Sequence, residues 1–341
     1  MSFTYLIYKR FTGKNTLSAP KIFLITALAA FSLIGVVSVV KKNKSTPESS
    51  TSIPKKEKKV AAKPSAAESK NEKVVKSSLN EFPSIDRMHQ LFTTGPSKLP
   101  IVETVSYSST VPWLKGRPAW VADYAAYYGT SRHFIARSLH GKADYFNQTV
   151  SAGRKFNVFR KDKKIQFHLL VDVSRLKMGL YYHDLDTQER VLLKTYSIGL
   201  GRLDAHKPSG SLTPLGSYSL GDKIAIYTPG VTSYFQDQKT EMIRVFGTRW
   251  IPFGQALEGA SEPAKGYGIQ GAPWMVDVAS GKLIENRDCI GKYDSDGCIR
   301  LSLEDMEELF AIVITKPAFV HIVNDFRSAS LPGSEVATPT R

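Results

Sequence analysis

Cysteine is nearly absent from this chain: Cys289 and Cys298 are the only two in 341 residues. That excludes a disulfide framework, and no CxxC pair or Cys/His cluster is present to hold zinc. No metal or cofactor is therefore expected. Acidic residues are missing from the first 40 positions, where Lys9, Arg10, Lys14 and Lys21 give +4. Residues 41–80 hold eleven lysines against four glutamates, or +7. Of the net charge of +15 only +4 is left for residues 81–341. Nucleic-acid recognition calls for a basic patch on the fold itself, so nucleic acid is not an expected partner. Lysine beside a membrane or an anionic wall accounts for the excess.

Ile22 to Val40 is a charge-free apolar run, with Lys21 before it and Lys41, Lys42 and Lys44 after it. Its length suits a helix crossing a hydrocarbon core of about 30 Å. Val36 to Val40 lacks the small-residue pattern of a cleavage site. The reading is an uncleaved single-pass anchor at 22–40 in the cell inner membrane. Residues 1–21 are then cytoplasmic and the bulk of the chain is periplasmic. Residues 41–82, rich in Lys, Ser, Ala and Pro, show no apolar periodicity and read as a disordered tether. At random-coil scaling it reaches roughly 35 Å.

Residues 104–162 read as a small α+β unit. Thr104 to Val111 is a strand candidate. Ala119 to Tyr128 and the stretch from Ser131 through Leu139 carry helical apolar patterns, and Lys155 to Phe159 returns as a strand. From Ile165 the period changes to two: Ile165, Phe167, Leu169, Val171 and Val173 alternate along a strand. Met178 to His183, Val191 to Ile198 and Tyr218 to Ile226 follow between Gly, Asp and Pro turns. Ser302 and Asp305 resemble a capping box, opening a helix whose apolar face is Leu303, Met306, Leu309, Phe310 and Val313. Ala318 to Val323 is a last strand, and 326–341 reads as a flexible tail. The fold class is mainly β, mostly antiparallel, as two packed sheets with one helix after the cysteine turn.

That turn is Ser295-Asp296-Gly297-Cys298-Ile299-Arg300. Ser295 and Asp296 can bond local backbone, and Gly297 allows angles closed to other residues. Apolar residues resume at once, so the cysteine sits where a turn meets packed structure. A nucleophilic thiolate needs such rigidity together with access, and backbone N–H groups to receive an oxyanion. A small buried hydrophobe is the bland alternative.

Four features together resemble the L,D-transpeptidase catalytic (YkuD-like) family. They are the strand Ile165 to Val173 with Leu180-Tyr181-Tyr182, and Tyr196-Ser197-Ile198-Gly199 followed by Leu212-Thr213-Pro214-Leu215-Gly216. Then come Gly268-Ile269-Gln270-Gly271 and Ile290-Gly291 leading to the cysteine turn. The resemblance covers 164–325. It implies a β-sandwich enzyme that acts on peptidoglycan stem peptides through a cysteine thioacyl-enzyme. D-Ala is released, and the amine of a second stem peptide forms the cross-link. By position, Cys298 is the nucleophile. Gln270, Gly271, Ser295, Asp296, Gly297 and Arg300 are the oxyanion and substrate-binding candidates, with N–H groups around Gly297 and Cys298 serving the oxyanion. The α+β unit resembles a LysM-type carbohydrate-binding module, as in Ala122-Asp123-Tyr124-Ala125 ahead of Tyr128-Gly129-Thr130-Ser131.

Two departures stand out. The family's general base is a histidine at the position of Gln270, and glutamine cannot take a proton at neutral pH. Asp296, beside the cysteine, and His206, in the loop before Thr213, are the candidate substitutes, and Asp296 would raise the thiol's pKa. Gln270 and Cys298 are also farther apart than the family pattern. The extra residues contain Cys289, either a loop thiol or a redox partner of Cys298. These departures keep two alternatives beside the transpeptidase: a non-catalytic peptidoglycan-binding protein and an L,D-carboxypeptidase.

Overall fold

The computed structural model describes residues 80–140, 150–337 and 339. The expected anchor at 22–40, the segment 1–21 and nearly all of the tether lie outside them. Among the described residues, no helix is long and apolar enough to cross a membrane.

The described chain opens with a single helical turn, α1 (His89–Phe92), and strand β1 (Val102–Ser106). Helices α2 (Val121–Tyr128) and α3 (Arg132–His140) and strand β2 (Lys155–Phe159) follow. Next come β3 (Ile165–Asp172), β4 (Lys177–Asp184), β5 (Glu189–Ser197), β6 (Leu200–Gly201), β7 (Gly216–Leu220) and β8 (Ala225–Ile226). A hairpin of β9 (Thr232–Phe235) and β10 (Gln238–Glu241) leads through the turn α4 (Ile243–Phe246) to β11 (Arg249–Ala256) and β12 (Gly268–Gly271). A second hairpin, β13 (Trp274–Val276) and β14 (Leu283–Glu285), precedes β15 (Tyr293–Ser295) and β16 (Ile299–Leu301). Helix α5 (Leu303–Val313), β17 (Ala318–Val323) and β18 (Ser334–Glu335) complete it.

The expected strand–helix–helix–strand unit is present, with β1 and β2 paired antiparallel from Val102↔Phe159 to Ser106↔Lys155. It is not a bead on a string. Val102, Phe134 and Phe159 belong to the same apolar cluster as the large sheet, and Ser131 Oγ donates to the Ala311 carbonyl of α5 at 2.5 Å. Tyr124, Ile135, Phe156 and Val158 form a smaller cluster of its own.

The expected mainly β sandwich is consistent with what is found, a curled sheet through which most of the strands are hydrogen-bonded. Its order is β16-β12-β11-β7-β17-β3-β4-β5-β18, with β8 also against β11. Three of its pairings are parallel: β12 with β16, β17 with β3, and β18 with β5. The alternation along β3 places Phe167, Leu169 and Val171 in the core beside Ile269, Ile299, Leu301 and Val320. Helix α5 adds Met306, Leu309 and Phe310 to that core, each fully buried. Burial of such a side chain stabilises by about 1.5–3 kcal/mol. The Ser302 hydroxyl caps α5 by accepting from Asp305 N–H at 3.3 Å and donating to its carboxylate at 2.9 Å. An N-cap of this kind contributes about 1 kcal/mol. The cap also fixes where the chain leaves β16, and so where the cysteine turn stands.

The expected strand Tyr218 to Ile226 is broken into β7 and β8. Residues 326–335, expected to be tail, instead hold a 3-10 turn at Phe326–Ser328 and strand β18. Phe326 packs on Phe82 at 5.0 Å between ring centroids, and Ser334 and Glu335 pair with Glu189 and Arg190 of β5.

Candidate active site around Cys298

Parallel pairing of β16 with β12 sets Ile299 beside Ile269, Gln270 beside Arg300 and Gly271 beside Leu301. Cys298 sits just ahead of β16 and Gly268 at the start of β12, at the same end of the two strands. The sulfur lies 3.7 Å from the Gly266 carbonyl, and the nearby Gly268 N–H favours its anion. The residue is half-buried.

Ser295 builds the turn. It is 1% exposed; its hydroxyl accepts from Gly297 N–H at 3.1 Å and donates to the Cys298 carbonyl at 2.7 Å. Gly297 has φ +111°, and a Cβ there would lie 2.6 Å from the Tyr267 ring and 2.7 Å from the Leu212 carbonyl oxygen. Only glycine fits both the angle and the space. The Gly297 N–H is engaged by Ser295. Thr213 of the Thr-Pro motif is buried and accepts from Gly201 N–H at 2.8 Å, holding β6 against the same turn.

Arg300 is mostly buried and is paired with Asp294, so it braces the turn. It also lowers the thiol's pKa slightly, as does the Gly268 N–H. Burial, with the Asp296 carboxylate adding to it, outweighs both and pushes the thiol up to about 11. Asp296 is exposed and paired with Arg202 at 2.6 Å.

Gln270 stands deeper in the strand. It is 4% exposed, and its amide Nε2 donates to the Val245 carbonyl at 2.9 Å, tying β12 to α4. Because a carbonyl only accepts, this contact also fixes which way the amide points. Gln270 and Gly271 thus lie beside Arg300 and Leu301, while Ser295, Asp296, Gly297 and Cys298 form the turn itself. His206 is exposed, its backbone N–H bonded to Asp204. Its neighbour Lys207 reaches Glu262 at 2.7 Å. Cys289 is buried and bonded to the Asn286 carbonyl at 3.2 Å, and both cysteines are free thiols, so the redox pairing is not formed.

Tyr267 escapes sequence reasoning. Its ring covers Gly297, and it feels Glu262, Lys207 and Cys298 electrostatically. The Gly266-Tyr267-Gly268 pattern, an aromatic between glycines directly before the Gln270 strand, is the signal that marks it.

Residues 166–322 match the L,D-transpeptidase catalytic (YkuD) domain family. The match leaves out the unit at 104–162, so the LysM-like reading of that unit is not supported by it. Among solved structures the chain is similar to Bd1075 of Bdellovibrio bacteriovorus, at 12% identity and TM-score 0.31 over 47% of this chain and 48% of that one. It is also similar to Pgp2, the helical cell shape determining protein of Campylobacter jejuni. There the identity is 18% and the TM-score 0.31, over 50% of this chain and 51% of that one. The chain spans about half the length of these structures. No curated protein matches it.

Proposed function

We propose that this YkuD domain is a cysteine acyltransferase acting on peptidoglycan stem peptides, held at the inner membrane by residues 22–40 with its catalytic part in the periplasm. The observation that carries this reading is a half-buried thiol on a glycine-specified turn that Ser295 holds in place. The Cys298 thiolate adds to the carbonyl of the L-centred residue, and the C–N bond breaks. The departing D-amino acid leaves as an amine that takes one proton, and a thioester remains. An acceptor amine then attacks the thioester, loses a proton, and releases the thiolate.

Deprotonation is the weak step. With its pKa near 11 only about one thiol in ten thousand is ionised at pH 7. A positioned base contributes roughly 10²–10⁴-fold where one exists. The sulfur's hydrogen-bond partner is the Gly266 carbonyl, and Gln270 directs one amide N–H to Val245. This arrangement favours a second reading, a stem-peptide binder that does not turn over.

The test is incubation of the purified protein with a disaccharide tetrapeptide, with and without an acceptor amine. A cross-linked product that needs both acceptor and Cys298 supports transfer. Tripeptide without cross-link indicates that water resolves the thioester. Binding without product, unchanged in Cys298→Ala, refutes the enzymatic reading.

A further inference from the structure

Another dense cluster of ionisable groups lies away from the cysteine. Strand β3 turns His168, Leu170 and Asp172 away from the core, yet they are only 3%, 4% and 0% exposed. Two flanking segments of the chain cover this second face. Phe82 and Ile85 come from the N-terminal side, and Phe326, Ala329 and Leu331 from the C-terminal side, all packed with Leu170, Tyr181 and Leu192.

Three imidazoles form a row across this face. His168 Nδ1 lies 3.0 Å from His321 Nε2, and His321 Nδ1 lies 2.9 Å from Ser217 Oγ. The His168 ring is 5.9 Å from that of His183 and is stacked on Phe319 at 5.3 Å. His168 Nε2 has no hydrogen-bond partner. The C-terminal segment passes directly over His183: a Cβ on Gly333 would lie 2.7 Å from that ring.

The covering segment is clasped by one side chain. Arg190 Nη1 donates to the carbonyls of Leu331, Pro332 and Gly333 at 2.8, 2.7 and 2.8 Å. Backbone bonds from Ser334 N–H to Gln188 and from Val336 N–H to Arg190, each 2.9 Å, close it onto β5.

We propose that residues 326–336 are an acid-released strap, closed over the imidazole row while it is neutral and displaced when the row gains protons, which uncovers the edge of β5.

The charges facing the row make protonation in place unfavourable. Burial first, then His321, His183 and Arg190, hold His168 down to about 3. Burial holds His321 down to about 4. His183 is lowered by burial and Arg190, against a smaller opposing pull from Gln188 and Asp184. Glu335 of the strap, Tyr181 of β4 and Ser217 of β7 complete the polar surroundings. A histidine uncovered by opening regains its ordinary value near 6.5. Each proton bound only in the open form raises the opening constant by up to about tenfold per pH unit below that value.

The test is amide hydrogen exchange on the full chain between about pH 7 and about pH 4.5, as protection factors corrected for intrinsic exchange. Protection at Ser334 and Val336 should fall by about 30-fold or more and stay below that of the central pair β3–β17, which opens only with the whole fold. A strap whose protection is constant, or falls only in step with β3–β17, overturns the proposal. In His183→Phe the fall should shrink by about tenfold or more; an undiminished fall also overturns it. Should that variant not fold, the titration of the parent protein decides alone.

Discussion

Two regions of this molecule treat proton acceptors in opposite ways. At the cysteine turn the Cys298 thiol has backbone partners and a brace, and burial holds its proton on. On the second face of the sheet three imidazoles are packed together, with burial lowering the pKa of each, and the row ends on the Ser217 hydroxyl. Burial disfavours the charged form in both places, but the charged form is the anion in one and the cation in the other. The cysteine region is therefore quiet at neutral pH and wakes in alkali, whereas the strap region is closed at neutral pH and loosens in acid.

The largest effect that can break this contrast is Gly297→Ala. The added methyl meets the Tyr267 ring and the Leu212 carbonyl at a positive φ. We expect a loss of roughly 2–4 kcal/mol in denaturant unfolding, together with loss of Cys298 reactivity. A stable, reactive variant would show that the turn is not what presents the thiol.

Acid should cost almost as much, from the other region. His168 and His321 are neutral in the folded state, whereas the unfolded chain protonates them near 6.5. Below about pH 6.5 the unfolded chain binds more protons, so stability falls as pH falls and continues falling toward the folded values near 4 and 3. Roughly 1–2 kcal/mol per histidine should be lost between about pH 6.5 and 4.5, read by thermal unfolding across that window. Stability that is flat across it would remove the histidine half of the contrast.

Smaller still is Gln270→Ala, which sharpens the question of what stands in the place of a base. Loss of the bond to Val245 should destabilise by about 1–2 kcal/mol, with Cys298 labelling changed less than about threefold. A large fall in labelling at intact stability would make Gln270 part of the chemistry. Arg202→Ala is expected to change unfolding free energy by less than about 0.5 kcal/mol, because the pair it breaks with Asp296 is well exposed.

Much of this was legible where the signal is local. The period of two along Ile165 to Asp172, the Ser302–Asp305 cap and the Ser295-to-Arg300 turn each lie within about ten residues, and each is found where the pattern puts it. Strands β2 and β17 carry the expected boundaries. What escaped depends on partners distant in sequence. Gln270 finds Val245 across the strand order. Gly333 lands on His183 only because β18 pairs with β5. A polar, glycine- and proline-containing tail gives no hint of that pairing, since two residues are too few to show alternation.

The most direct test of the account is the rate at which an acylating carbapenem modifies Cys298, followed by intact-protein mass from about pH 7 to about pH 10. The account predicts one adduct, absent in Cys298→Ala, forming about tenfold faster with each pH unit across the range as the thiolate fraction grows. A rate that levels off near pH 7 would reveal an activated thiolate and contradict the geometry described for the sulfur. No adduct at any pH would contradict the assignment of Cys298 as nucleophile.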